Sequence, residues 1–220
     1  MDRDSAMETH PKILCIGACH WDFTMQCAAE VIPGESNPVH SSRSPGGVAF
    51  NIARTLSHLD CIVGLASRVG SDPVGKALVN YLATSRIEAT DVGEETTHHT
   101  ATYTAVVDPQ GELVLGLADM EIYECLDSRY WSSRGDKLAE WDAWCLDTNL
   151  PEAGFQYLST LANRPRLYAV VSSRRLFSTT SRHKNRGDTP LKSHGTLDTL
   201  TLPKARTKKP QRLTKRASRG

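Results

Sequence analysis

Apolar positions along the first 171 residues fall into short unbroken runs and into stripes of helical period, and beyond that point the pattern stops. "KILCIGA" (Lys12 to Ala18) is an apolar run of strand length ending at Gly17, the signature of a buried strand. "CIVGLASRVG" (Cys61 to Gly70), "WCLDTN" (Trp144 to Asn149) and "RLYAVV" (Arg166 to Val171) repeat it. Between the first two, Val48, Ile52, Leu56 and Leu59 recur at helical spacing with Ala49 and Ala53 beside them, which predicts a helix starting after Gly46-Gly47. Val74, Ala77, Leu78, Tyr81 and Leu82 predict a second helix, with Asp72 as its N-cap and Pro73 in its first turn. Further helices are expected near 127–139 and from about Pro151. Strands alternating with helices imply an α/β domain built on a mainly parallel sheet.

One segment breaks the alternation. In "TATYTAVVDPQGELVLGLA" (Thr100 to Ala118), two β-rich runs flank Asp108-Pro109-Gln110-Gly111, which reads as a hairpin turn. Residues 19–45 carry little helix signal and are interrupted by Pro33, Gly34, Pro38 and Pro45. The hairpin suggests a small β accessory, a flap over the ligand-bearing edge of the sheet.

Charge divides the chain more sharply than hydrophobicity does. Residues 1–171 hold 12 Lys and Arg against 23 Asp and Glu; residues 172–220 hold 14 against 2. The acidic part argues against a nucleic-acid-binding body. The basic part is rich in Ser, Thr, Lys and Arg, and buries too little apolar surface to offset an ordering cost of about 1–2 kcal/mol per residue, so disorder is expected over 172–220. The polar stretch 1–11, "MDRDSAMETHP", is likewise expected to be disordered; with its acidic character it resembles neither a secretory signal nor a mitochondrial presequence. No apolar run reaches the roughly 18 residues of a membrane span. The six cysteines form no C-x-x-C pair, which points to free thiols in a reducing, cytoplasmic setting.

Candidate chemistry gathers where strands end. Gly46 and Gly47 allow a ligand to approach the backbone and expose N–H groups at a helix start. Asn51 falls at the border of the apolar stripe of that helix, and Asp22 follows the first strand, where open α/β sheets hold ligands and where a carboxylate accepts sugar hydroxyls. Each has a plain alternative: a tight turn, a polar border residue, a loop carboxylate. His98-His99 reads as exposed loop, and Trp131, Trp141 and Trp144 as packing.

Together these residues resemble the ribokinase, or PfkB, family of carbohydrate kinases. Its first signature corresponds to Gly46, Gly47, Asn51, Ala53 and Gly70, with Asp60 departing where Gly or Ser is usual; Asp tolerates the left-handed conformation that follows a helix. "ESNPVHSSRSPGGVAFNIARTL", "VGSDPVGKAL", "TYTAVVDPQGEL" and "ADMEI" look like successive blocks of the pseudouridine kinases, in order. The resemblance implies a ribokinase-like parallel sheet flanked by helices over 12–171, with a β lid from about 19–45 and 97–118 that pairs with a second subunit in many members. It places Asp22, Gly46, Gly47 and Asn51 in a sugar or nucleoside site, with Asn149 as a further pocket residue. His20 stands where many relatives have Asn.

The family's reaction implies ATP and Mg2+, with phosphate passing to a ribosyl 5′-hydroxyl. Its second signature, a Gly-Ala-Gly-Asp turn carrying the catalytic base, has no counterpart: after Asn149 the only Gly-Asp pair, Gly187-Asp188, lies in "KNRGDTPLK" with no apolar helix after it. Asn149 and Glu152 spell N-x-x-E, a motif these kinases use near magnesium, but at a strand-to-helix turn where Glu152 reads as a first-turn acid. The expectation is therefore a truncated sugar kinase domain without a nucleotide site, inactive alone, followed by an unrelated basic tail. The alternative is a non-catalytic binding protein that uses "KARTKKPQRLTKR" (Lys204 to Arg216) for RNA or nuclear import.

Overall fold

The computed structural model describes residues 10–170 and 198–200. The expected disorder of the N-terminus and of the basic tail, and the Gly187-Asp188 pair, fall outside those residues, apart from 198–200.

Strands β1 (Lys12–Ile16), β4 (Ile62–Gly70), β5 (Ile87–Glu95), β8 (Ala143–Asp147), β9 (Arg166–Val170) and β10 (Asp198–Leu200) form one sheet in the order β10-β9-β8-β1-β4-β5, with every pairing parallel. The central strand explains its own sequence. Leu14 and Ile16 point to one face, where they meet Trp131, Leu146 and Leu158; Cys15 points to the other, among Ala49, Phe50, Leu78 and Leu82. A strand covered on both faces has no polar positions to alternate with, so it appears as an unbroken apolar run.

Helices α1 (Val48–Leu56) and α2 (Pro73–Ala83) cover one face. The other is covered by α3 (Ser128–Ser132), α4 (Gly135–Leu138) and α5 (Glu152–Thr160), preceded by a 3-10 turn at Glu121–Cys125. Asp72 caps α2 as expected, accepting from Gly75 N at 2.7 Å, and its other oxygen accepts from Thr100 N at 2.7 Å, tying the helix to the segment that enters the lid. Trp131 and Trp144 are fully buried, with their indole N–H groups on the carbonyls of Leu126 and Leu138. Asp60 adopts φ 55°, the left-handed conformation anticipated for it.

Three expectations need correction. The buried face of α1 is Ala49, Phe50 and Ala53, while Ile52 and Leu56 are only half-buried and Leu59 is 64% exposed. The helix starts so close to β1, with Phe50 N on Ala18 O at 3.2 Å, that small residues line the contact. The single helix expected over 127–139 is two short ones. Ser132 and Ser133 turn their hydroxyls back onto the carbonyls of Arg129 and Tyr130, and Gly135 follows. Strand β5 was not anticipated, because "IEATDVGEE" has no apolar run; it is an edge strand that buries Ile87 fully and Ala89 and Val92 in part.

The lid is a second sheet in the order β3-β2-β6-β7, from β2 (His20–Cys27), β3 (Val39–Gly46), β6 (Thr102–Val107) and β7 (Leu113–Asp119). β2 pairs antiparallel with β3 and parallel with β6, and β6–β7 is the expected hairpin, with Gly111 at φ 84° in its turn. Among the described residues no helix is long and apolar enough to cross a membrane, and all six cysteines are free thiols.

Candidate functional site

The site lies where the parallel sheet hands the chain to the lid. β1 stops at Ile16, Gly17 turns with φ 141°, and β2 begins at His20, so Asp22 is the third residue of a lid strand rooted beside the C-terminal end of the central strand. β3 returns antiparallel, setting Gly46 opposite His20 and Ser44 opposite Asp22. A Cβ built on Gly46 would fall onto the Asp22 carboxylate, so the absent side chain is what lets that carboxylate lie against the backbone. Gly47 has φ 97°, and a Cβ there would strike the carbonyl of Ala18. The glycine pair therefore does two jobs: Gly46 makes room for Asp22, and Gly47 brings the start of α1 against the end of β1.

Asp22 is held from one side. Its Oδ1 lies 3.0 Å from Nε2 of His20, a buried residue at 7% exposure, while the Asp22 side chain keeps 37%. The other ring nitrogen, Nδ1, is 3.0 Å from the hydroxyl of Tyr123 in the 3-10 turn. That hydroxyl lies 2.9 Å from both the N–H and the carbonyl of Cys19. Burial pushes the Tyr123 hydroxyl well above the usual tyrosine range, with the nearby carboxylates Asp147 and Asp22 adding to it, so it serves as a neutral hydrogen-bonding post.

A second carboxylate closes the floor. Asp147, fully buried at the end of β8, accepts from Asn149 N and Nδ2 at 2.9 Å through Oδ1, and from Ala18 N at 3.2 Å through Oδ2. Burial raises its proton affinity, and these N–H groups together with His20 pull it back. A Cβ on Gly17 would collide with Asp147, so that glycine is fixed by space as well as by its φ.

Among the sequence-predicted residues, then, Asp22, Gly46 and Gly47 converge. Asn149 joins them through Asp147, and its amide is engaged with that carboxylate. Asn51 is exposed on α1 one turn beyond Gly47, its N–H on the Gly47 carbonyl at 2.9 Å. Glu152 opens α5 at the surface and accepts from Gln156 at 2.9 Å, and among the described residues no group of three metal-ligating side chains comes together. His99 is exposed, while His98 is half-buried with Nδ1 3.5 Å from Cys125 Sγ. Two residues were missed as parts of the site, Tyr123 and Asp147; His20, noted in the sequence only for standing where many relatives have Asn, is the group that holds Asp22. A carboxylate closing an apolar strand was a signal for Asp147; nothing around "MEIYEC" marked Tyr123.

Residues 10–163 match the family described as pfkB family carbohydrate kinase. The chain belongs to that family. It is 26% identical over 162 residues to the pseudouridine kinase of Escherichia coli, covering 73% of this chain and 52% of that one. It is 32% identical over 143 residues to the pseudouridine-metabolizing bifunctional protein of Schizosaccharomyces pombe, covering 63% of this chain and 19% of that one. Among solved structures, a carbohydrate kinase from Agrobacterium tumefaciens superimposes with a TM-score of 0.69 at 30% identity, over 75% of this chain and 55% of that one. The ribokinase of Cryptococcus neoformans in complex with ADP shares the fold, with a TM-score of 0.57 at 14% identity, over 74% of this chain and 50% of that one. The pfkB match covers the parallel sheet through α5 together with the lid; the chain spans about half the length of the E. coli kinase and of these solved structures.

Proposed function

We propose that residues 12–170 form the acceptor-binding part of a pseudouridine-kinase-like sugar kinase, in which Asp22 receives the hydroxyls of a ribosyl substrate and the Gly46-Gly47 turn lets the lid close over it. The observation that carries this reading is the Asp22 carboxylate, laid over Gly46 at the root of the lid and still partly open to solvent. Hydroxyl donors to a charged acceptor contribute about 1.5–3 kcal/mol each, enough to choose a polyol from water. Asn51, exposed one turn into α1, is the proposed neutral partner, and Asn149, held by Asp147, is a further candidate.

The parent reaction passes the γ-phosphate of ATP to the ribosyl 5′-hydroxyl, with magnesium neutralising charge. The described residues do not fit that half of the chemistry: Glu152 is occupied at the surface by Gln156, and no group of three metal-ligating side chains comes together among them. We therefore assign nucleotide and metal to no described residue, and infer that the described part holds an acceptor without turning it over. Exposed Leu113, Val114, Leu115 and Leu117 along β7 support a second copy of the chain as the lid's partner.

Titration calorimetry of the 220-residue chain with pseudouridine and with ribose tests the acceptor site. Heat with pseudouridine alone fits the subfamily, heat with ribose alone moves the chain toward the ribokinases, and no heat with either removes the reading. Incubation with ATP, magnesium and the same acceptors is expected to yield no product; turnover of about 1–100 per second would reveal a base outside the described residues, with Asp188 the first residue to replace.

A further inference from the structure

Both ring nitrogens of His20 are spent. Nε2 faces Asp22 Oδ1 at 3.0 Å and Nδ1 faces the Tyr123 hydroxyl at 3.0 Å. A carboxylate only accepts hydrogen bonds, so the Nε2 end must carry a proton. The Tyr123 hydroxyl is itself fixed, since it lies 2.9 Å from both backbone groups of Cys19. An unbroken line of hydrogen bonds thus runs from the backbone at Cys19, through Tyr123 and His20, to one oxygen of Asp22.

Asp22 needs that line. It sits on a lid strand, its side chain is 37% exposed, and the residue beneath it is a glycine with no side chain to restrain it. An aspartate so placed would otherwise spread over its rotamers, and a ligand would have to offset that freedom on binding. With Oδ1 tied to His20, Oδ2 and the remaining lone pair of Oδ1 keep a constant direction, the arrangement that two neighbouring hydroxyls require. The other titratable group acting on the ring is Asp147, from the end of β8.

We propose that His20 is a positioning residue: clamped by Tyr123, it orients Asp22 so that the site selects a vicinal diol over a lone hydroxyl. This rests on the reading of Asp22 as the hydroxyl acceptor and adds the device that gives it selectivity. An amide at this position would offer one donor to Asp22, whereas the imidazole also joins it to a second, buried anchor.

The test uses the full chain and two probes, ribose and 2-deoxyribose, titrated into wild type, His20→Leu, His20→Asn, Tyr123→Phe and the Tyr123→Phe/His20→Leu double variant. His20→Leu is expected to weaken ribose binding about tenfold and to erase the preference over 2-deoxyribose, while His20→Asn stays within about threefold of wild type. Tyr123→Phe is expected to cost about threefold alone and nothing further once His20 is Leu, because it acts through the ring. Equal losses in the Leu and Asn variants, or additive losses at 20 and 123, would reduce His20 to packing. Nitrogen-15 spectra of the His20 ring in the unliganded protein separate this from failure of the site itself. A proton on Nε2 and a Nδ1 signal that moves in Tyr123→Phe uphold the line even if neither sugar binds; a bare Nε2 overturns it.

Discussion

The two sheets of this molecule obey different rules. In the parallel sheet, β1 is flanked by strands and roofed on both faces, and Leu14, Cys15 and Ile16 are completely buried. In the lid, β7 is exposed along its whole length, β6 is half-buried, and β3 is exposed until Pro45 and Gly46 reach the seam. The lid is buried at its root, at His20 and Trp21, where the Trp21 indole N–H reaches Val74 O at 3.2 Å and Arg43 stacks on its ring, and again at Cys27, where β2 ends. Stability therefore belongs to the sheet that carries no proposed ligand group apart from its strand ends, and the proposed selectivity to the seam, where the largely exposed lid meets that sheet. Binding elements that must move are drawn from the weakly held parts of a structure.

The comparison is sharpened most by removing a large core side chain and a large lid side chain in parallel. Trp144→Ala should cost about 3–5 kcal/mol in chemical denaturation, whereas Leu115→Ala should stay within about 0.5 kcal/mol. Similar losses would mean that the lid is part of the cooperative core. Replacing the acceptor comes next. Asp22→Ala should lower acceptor affinity at least about tenfold with the unfolding midpoint nearly unchanged, and Asn51→Ala should lower it by about threefold to fivefold, since a neutral hydrogen bond contributes less. A stability loss at Asp22 as large as the binding loss would make that residue structural.

Gly47→Ala joins the two regions. Its φ of 97° and the nearby Ala18 carbonyl leave no room for a methyl group, so about 1–3 kcal/mol of stability should be lost together with acceptor binding. Loss of one without the other would uncouple α1 from the site. The smallest effect is expected on the acid limb. Glu95 is held down to about 2 by the Thr97 backbone N–H, then by the Thr97 hydroxyl and Arg68. Its contribution is fully present above its ordinary value of 4.5 and is lost as the pH falls from there toward 2. Glu95→Gln should flatten that part of the stability profile, and an unchanged slope would show that the pairing adds nothing.

Local pattern determined much of this molecule before any fold was visible. Four of the strands show as apolar runs, α2 shows through its stripe and its Asp72-Pro73 start, and the hairpin shows through its turn, because each depends on residues a few positions apart. The Gly46-Gly47 turn and Asp22 were legible as candidates because strand ends and glycine turns are local features too. The seam was not. Tyr123 reaches His20 across 103 residues, from the 3-10 turn that follows the lid, and Asp147 reaches Ala18 across 129, because the sheet sets β8 beside β1. The same holds for α1, whose periodicity announced a helix while the closeness of β1 chose which of its faces is buried. Spacing along the chain determines which elements form, through interactions between near neighbours; which polar groups meet, and so which carboxylate is free to take a ligand, is decided by strand order, which only the packed structure sets.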